Sequence, residues 1–492
     1  MSTRRKSGFQ LALLVAEALI FFASGIALYV VISRVAGPEL LGQYTLVLSW
    51  MTVFQAFGSF GIPELMLTEL GRHPDARSEY LGAGLALGMA TSLCLVPIMM
   101  LVTRLMHYDP AMETALTVAA FSLPGAMLLN VARSGFIAGR HLEFVLTTRV
   151  VEFVLVLPAS LVLLFHGAGI VALAVTTVSG RAVGALLGLA LLHRCAIPVT
   201  WWPGRARVRA VARAALTYGS SNALGLFGTH VNVIMLSVLA PIAQVGYFVA
   251  GFKLVESLAL VVVLFGQFFM PRIAHSLTHE RALALEPFRK VFRLLFVLMA
   301  PIGIGLVMFP EFVVGLLYGE GFGPTIDILR LMGVFYLVYC ADALLSLILK
   351  SAELQALDLR LLVANPTVNV SVNFVLIPVF GAFGAAIGQF SGGLCSLALR
   401  YGAVSRRVGS PGWVTLGGPA VLASLVVGAG IASSMAQPGL AGVSLYGVIM
   451  LGMIAATAWF TLRPLTAANA NPPGSRGAAG APEIIGKEPA ER

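Results

Sequence analysis

SRVAGPELLGQY, residues 33–44, separates two apolar runs, and a near-copy, SVLAPIAQVGY, returns at residues 237–247. A second pair behaves alike: FHGAGIVALA (165–174) matches FGAFGAAIG (380–388). In both pairs the partners are six candidate spans apart. Six is even, so both copies of each turn face the same side of a membrane. The chain therefore reads as a parallel duplication of a six-helix unit. Two such lobes facing each other enclose a central cavity, the usual basis of alternating access.

The runs around these turns are long enough to cross a bilayer. Of the residues, 58% are apolar and 11% charged, with a mean hydropathy of +0.91; a soluble chain carries about 25% charged residues. Apolar segments of about 20 residues, the length of a hydrocarbon crossing, recur throughout. Fourteen candidate helices begin near residues 9, 40, 80, 112, 144, 168, 214, 242, 290, 324, 358, 382, 412 and 441. They are read as helices because lipid leaves every backbone group to find an internal partner. The first run continues past the small residues Ala23–Gly25 to Ile32, so an uncleaved first span is expected rather than a removed signal.

The expected fold class is an all-α polytopic membrane protein of 14 transmembrane helices. Two parallel six-helix lobes surround a central cavity, with two extra C-terminal helices. The expected divisions are an N-lobe at 1–194, a basic cytoplasmic linker at 195–213, a C-lobe at 214–408 and spans 13–14 at 409–463. The Pro-, Gly- and Ala-rich stretch 464–492 lacks aromatics and is expected to be a disordered cytoplasmic tail.

Lysine and arginine set the orientation. With the N-terminus inside, 21 basic residues fall in cytoplasmic connections, Lys350, Arg360, Arg400, Arg406 and Arg407 among them, and only Arg34 and Arg104 fall outside. Both termini are therefore expected in the cytoplasm. The net charge of +10 then reflects topology and attraction to anionic lipid head groups rather than nucleic-acid binding.

Catalytic and metal chemistry find little support. No connection is long enough for a soluble domain, no phosphate loop of the GxxxxGK[ST] type occurs, and no cofactor is expected. Cys94, Cys195, Cys340 and Cys395 are far apart and lack metal spacing. His275 and His279 are four apart but lie in a polar connection with no third ligand nearby, so they read as loop residues and no metal centre is expected. The chain reads as a transporter rather than an enzyme.

Four segments carry a family resemblance. SGIALYVVISRVAGPELLGQY (24–44) resembles the opening of polysaccharide and O-antigen flippases, apart from Ala36, where that family more often has Leu. VGYFVAGFKLVESLALVVVLFGQFFMPRIA (245–274) is similar to their eighth helix, and APIGIGLVMFPEFVVGLLYGEGFGPTIDILRLMG (300–333) to their ninth and tenth. NPTVNVSVNFVLIPVFGAFGAAIG (365–388) resembles their Asn-rich eleventh helix and the turn after it. The family is the oligosaccharide flippase branch of the multidrug/oligosaccharidyl-lipid/polysaccharide exporter superfamily. The resemblance implies transfer of a polyprenyl-diphosphate-linked oligosaccharide to the outer leaflet of a bacterial inner membrane. The product would be a surface polysaccharide, such as lipopolysaccharide O-antigen or an exopolysaccharide. The implied partners are that lipid-linked substrate, membrane lipids, and a polysaccharide polymerase with its export machinery. Cavity residues vary among these flippases, so none is carried over by motif.

A diphosphate crossing hydrocarbon needs fixed positive charge, its sugars need polar groups, and its lipid tail needs a lateral opening. Arg133, Arg149, Arg181, Lys253 and Arg330 fall within or close to spans, where charge is costly and by default faces the bundle interior or water. Arg133, Arg181 and Lys253 are the foremost candidates to line the cavity and meet the diphosphate, with Arg149 beside them. The alternative is internal pairing at i, i+3: Lys253 with Glu256, Arg149 with Glu152, and Arg330 with Asp327. Glu17, Glu256 and Asp342 are candidates for a coupling proton or sodium ion, or for neutralising cavity arginines. Asn365, Asn369 and Asn373 share one helix face, facing either sugar hydroxyls or neighbouring helices.

Three rival functions remain open. A multidrug or cation antiporter of the same fold would be expected to hold a more acidic and aromatic cavity. A membrane glycosyltransferase or polymerase would need a larger extramembrane loop. A peptidoglycan-precursor flippase would share the fourteen spans.

Overall fold

The structure, a computed structural model, describes residues 3–194, 199–279, 285–409, 443–444, 446–449 and 451–452, with side chains left undescribed at 3–24, 216–227, 271–287 and a few single positions. Every regular element among them is helical. The first lobe comprises α1 (Thr3–Ser59), α2 (Ile62–Arg72), α3 (Arg77–Leu105), α4 (Pro110–Ala120), α5 (Ser122–Gly139), α6 (Leu142–Phe165) and α7 (Ile170–Arg194). The second comprises α8 (Arg205–Leu239), α9 (Ile242–His279), α10 (Leu285–Met308), α11 (Pro310–Leu317), α12 (Gly323–Ser351), α13 (Gln355–Leu362), α14 (Ala364–Phe380) and α15 (Ala382–Arg407). Among the described residues ten helices are long and apolar enough to cross a membrane. The chain is thus an all-α polytopic membrane protein. The spans expected from residues 412 and 441 fall largely outside the described residues, as does the tail.

The repeated turns behave as glycine and proline chemistry requires. Within α1 the helix breaks at Gly37, where φ is 77° and ψ −171°. That conformation is strained for any residue with a Cβ, and the following Pro38 has no N–H to continue the ladder. In the second pair of turns, Gly167 and Gly381 both take positive φ, at 74° and 55°.

The first pair of turns pack on each other. A side chain on Gly42 would collide with the carbonyl oxygen of Ile242, and one on Gly246 with that of Pro38. Backbone therefore rests on backbone where α1 meets α9, the close approach that small residues permit in membranes. Arg34 adds a tie to this corner, its Nε donating to the carbonyl of Leu317 at 3.0 Å. The largest buried apolar cluster runs through this contact, from Leu41 and Leu46 in α1 to Phe248 in α9 and Met332 in α12.

Two sequence expectations change. The 195–213 segment is a linker only in part: α8 starts at Arg205 and runs unbroken to Leu239. Its start is pinned to α3, with Arg207 donating to Glu79 at 2.7 Å and 3.0 Å and lying 4.6 Å over the Tyr80 ring. The hydrogen bond to Glu79 holds the Arg207 guanidinium above the usual arginine range. Likewise α9 runs to His279, so His275 and His279 lie on a helix rather than in a loop, and their side chains fall outside the described residues.

Candidate functional site

The first cavity forms where the second crossing is interrupted. Between α1 and α2 the chain turns at Phe60 (φ 38°) and Gly61 (φ 75°). Pro63 sits in the first turn of α2, whose N-terminus has no side-chain cap. A discontinuous helix at membrane depth is tolerated where it lines a cavity, and its N-terminal end favours negative charge. Beside the break lies a cavity of about 480 Å³.

Three arginines reach this cavity from three helices: Arg133 from α5, Arg149 from α6 and Arg181 from α7. Glu152, one turn after Arg149 on α6, brings two of them together. Its Oε2 accepts from Arg133 Nη2 at 3.3 Å and from Arg149 Nη1 at 3.2 Å. Arg133 Nε also donates to Thr148 Oγ1 at 3.4 Å. Arg181 differs: its Nη1 is buried and has no hydrogen-bond partner. Glu64, in the first turn of α2, completes the charged lining. Three cations against Glu64 and Glu152 leave the cavity one net positive charge.

Three of the four candidate cations thus share one space. The i, i+3 pairing of Arg149 with Glu152 forms as well, so cavity lining and internal pairing coexist. Arg133 has no acid at helical spacing on its own helix but gains one from α6. Lys253 stands apart. It lines neither this cavity nor the second, its Nζ donates to Glu256 at 2.8 Å, and it sits 5.2 Å over the Tyr29 ring. Arg330 is exposed, 2.7 Å from Asp327, and also paired with Glu311.

A second cavity, of about 770 Å³, lies in the C-lobe. Glu64 lines both, so the two adjoin. The second holds a buried ionic network that local spacing does not reveal. Arg400 on α15 pairs with Asp342 on α12 and, through Nε at 2.8 Å, with Asp358 on α13. Ser396 donates to Asp342 at 3.0 Å and Ser346 to Asp358 at 2.8 Å. Side chains of Arg400 and Asp358 are only 6% and 5% exposed. Arg400 is therefore not a charge of the cytoplasmic connection, as the orientation count took it; the basic asymmetry becomes 20 to 2. Two carboxylates from other helices make its burial tolerable. Of the coupling-ion candidates, Asp342 lies in this network, Glu256 is bound to Lys253, and the Glu17 side chain lies outside the described residues.

The three asparagines divide. Asn365 lines the second cavity. Asn369 and Asn373 are fully buried and bond with neighbouring helices: Asn373 Nδ2 donates to Asn232 on α8 at 2.5 Å and to Asn369 at 2.8 Å. Gln389 on α15 accepts from Asn369 at 3.0 Å and from Asn232 at 2.6 Å. Gly388 lets α15 approach this cluster, since a side chain there would collide with Asn373. Their amides hold helices together, as polar residues in membranes commonly do.

A family model described as "Polysaccharide biosynthesis protein" matches residues 13–277. No curated protein sequence matches the chain. Among solved structures, the lipid II flippase MurJ in an inward closed conformation is similar with a TM-score of 0.74 at 11% identity, over 93% of this chain and 99% of that one. An inward-facing multidrug resistance MATE transporter of the MOP superfamily has a TM-score of 0.65 at 16% identity, over 80% and 94%. An outward-facing multidrug resistance MATE transporter of the same superfamily has a TM-score of 0.57 at 16% identity, over 81% and 95%.

Proposed function

We propose, from the premise that the chain belongs to the polysaccharide biosynthesis protein family, that it flips a polyprenyl-diphosphate-linked oligosaccharide across a bacterial inner membrane for surface polysaccharide assembly. The observation that carries this reading is the buried, unpartnered Nη1 of Arg181 beside Arg133 and Arg149, in a cavity with net positive charge. An unpaired guanidinium nitrogen at membrane depth is costly, and a ligand oxygen would satisfy it. Arginine's fixed fork matches phosphate oxygens, and the uncapped N-terminus of α2 adds favourable potential for an anion. Such a lining suits an anionic head group better than a cationic drug.

In this mechanism Glu152 keeps Arg133 and Arg149 in place while the cavity is empty. A diphosphate adds to Arg181 and competes with Glu152 for the other two. The lipid tail stays in the bilayer throughout. Both termini lie in the cytoplasm, as the 20 to 2 distribution of basic residues supports. In that orientation the packed turns at Gly42 and Gly246 close the outer side. The second cavity reaches Lys350 in the last turn of α12, toward the cytoplasm. Alternating access then requires these turns to part.

Reconstitution in proteoliposomes with a fluorescent polyprenyl-diphosphate disaccharide tests the proposal. Wild-type protein should expose the label to the opposite leaflet, and Arg181→Leu should not. Equal rates for the two proteins, or transport of a cationic dye in place of the lipid, would refute the reading.

A further inference from the structure

The flippase reading leaves the larger cavity unused. At about 770 Å³ it falls within the range that encloses a drug-sized molecule. It differs from the arginine cavity in charge. Its own acids Asp342 and Asp358 balance its cations Lys350 and Arg400, and the shared Glu64 adds a negative charge where the two cavities adjoin. Arg400 already serves two carboxylates, and Lys350 Nζ lies 3.8 Å from Asp358. Arg400 could receive a phosphate only by breaking a buried pair, which costs heavily, and Lys350, half exposed, already faces Asp358.

The remaining lining has a different character. The rings of Phe335 and Tyr339 stand together, with centroids 6.4 Å apart, and Asn365 and Thr229 border the same space. Aromatic faces beside amide and hydroxyl groups match a pyranose ring, which presents an apolar C–H face and a rim of hydroxyls. Sites of this kind use apolar walls for contact and a few polar groups for orientation. Because Glu64 lines both cavities, one ligand can occupy both at once.

We infer that the C-lobe cavity is the glycan subsite and takes a neutral, hydroxyl-rich sugar chain whose diphosphate lies among the N-lobe arginines; this rests on the flippase reading above. The substrate then lies across the lobes with a fixed polarity, diphosphate to the N-lobe and sugars to the C-lobe. Uronic acids are disfavoured, because they would bring a further negative charge beside Asp342, Asp358 and the shared Glu64, where both cations are already paired.

The test measures binding to the full chain in nanodiscs with three probes: bare polyprenyl diphosphate, the same lipid carrying a neutral disaccharide, and the same lipid carrying a glucuronic-acid disaccharide. Wild-type protein should hold the neutral glycolipid more tightly than the bare lipid, and the uronic form more weakly than the neutral one. Tyr339→Ala and, independently, Asn365→Leu should each weaken the neutral glycolipid by about fivefold or more, through loss of an aromatic face or a hydrogen bond. Bare lipid should bind both variants as it binds wild type. Unchanged glycolipid affinity in both variants would overturn the subsite, as would equal wild-type affinity for bare and glycosylated lipid or tighter binding of the uronic form. The parent reading fails by a separate result: bare lipid binding Arg181→Leu as well as it binds wild type.

Discussion

Replacing Arg181 by leucine separates binding from stability. A hydrogen bond to a charged partner contributes about 1.5–3 kcal/mol, so losing this donor should weaken polyprenyl diphosphate binding by about 10- to 150-fold. The fold should not suffer in proportion. In the ligand-free protein Arg181 Nη1 is buried without a partner, so leucine removes an uncompensated polar atom. The melting temperature should hold or rise. Glu152→Gln should do the opposite, because Arg133 and Arg149 lose the carboxylate oxygen they share at 3.3 Å and 3.2 Å. Removing one partner of a buried pair costs about 3–5 kcal/mol, and these side chains, 12–18% exposed, should fall toward the lower end of that range. Ligand affinity in Glu152→Gln should nevertheless rise, since the competing acceptor is weakened. The assay is microscale thermophoresis with a labelled polyprenyl diphosphate, beside thermal melting of the same samples. Wild-type affinity in Arg181→Leu, or a larger loss of stability there than in Glu152→Gln, would refute this reasoning.

Other perturbations reach other parts of the molecule. Arg400→Ala should destabilise by about 3–5 kcal/mol, because it leaves Asp342 and Asp358 buried without their cation; a melting temperature close to wild type would contradict the network. Adding Asp342→Asn and Asp358→Asn to Arg400→Leu should recover much of that loss, since no unpaired charge remains. Asn373→Leu should cost about 0.6–1.7 kcal/mol, the range for interhelical polar contacts in membranes, and should leave bare-lipid affinity unchanged; a binding defect with intact stability would place Asn373 in the site. Gly246→Val should force apart the turns that meet at Pro38, raising thiol labelling of a cysteine introduced at Leu41. Labelling equal to that of the same cysteine in the Gly246 protein would argue against a closed contact.

Much of the architecture is legible in the chain itself, because hydrocarbon allows few solutions. Long apolar runs must be helices, and Gly37 with Pro38 marks a break whose cause is written in the two residues. The duplicated turns suggest a repeat, and Gly167 and Gly381 both take positive φ. Pairs set by helical geometry are equally visible: Lys253 with Glu256, Arg149 with Glu152, Arg330 with Asp327.

Tertiary structure decides what each charge faces. Spacing cannot tell that Arg133 meets Glu152, 19 residues away on another helix. Nor can it tell that Arg400 leaves the cytoplasmic connection for a buried pair with Asp342, 58 residues away. Nor can spacing tell that α9 sets Lys253 over the Tyr29 ring as well as beside its own glutamate. It also left Asn365, Asn369 and Asn373 alike until α8 and α15 enclosed two of them. Local periodicity follows the backbone, so sequence alone determines span, turn and face. Which side of a helix meets water, lipid or another helix depends on how distant segments pack, and only the assembled bundle gathers three arginines from three helices around one cavity.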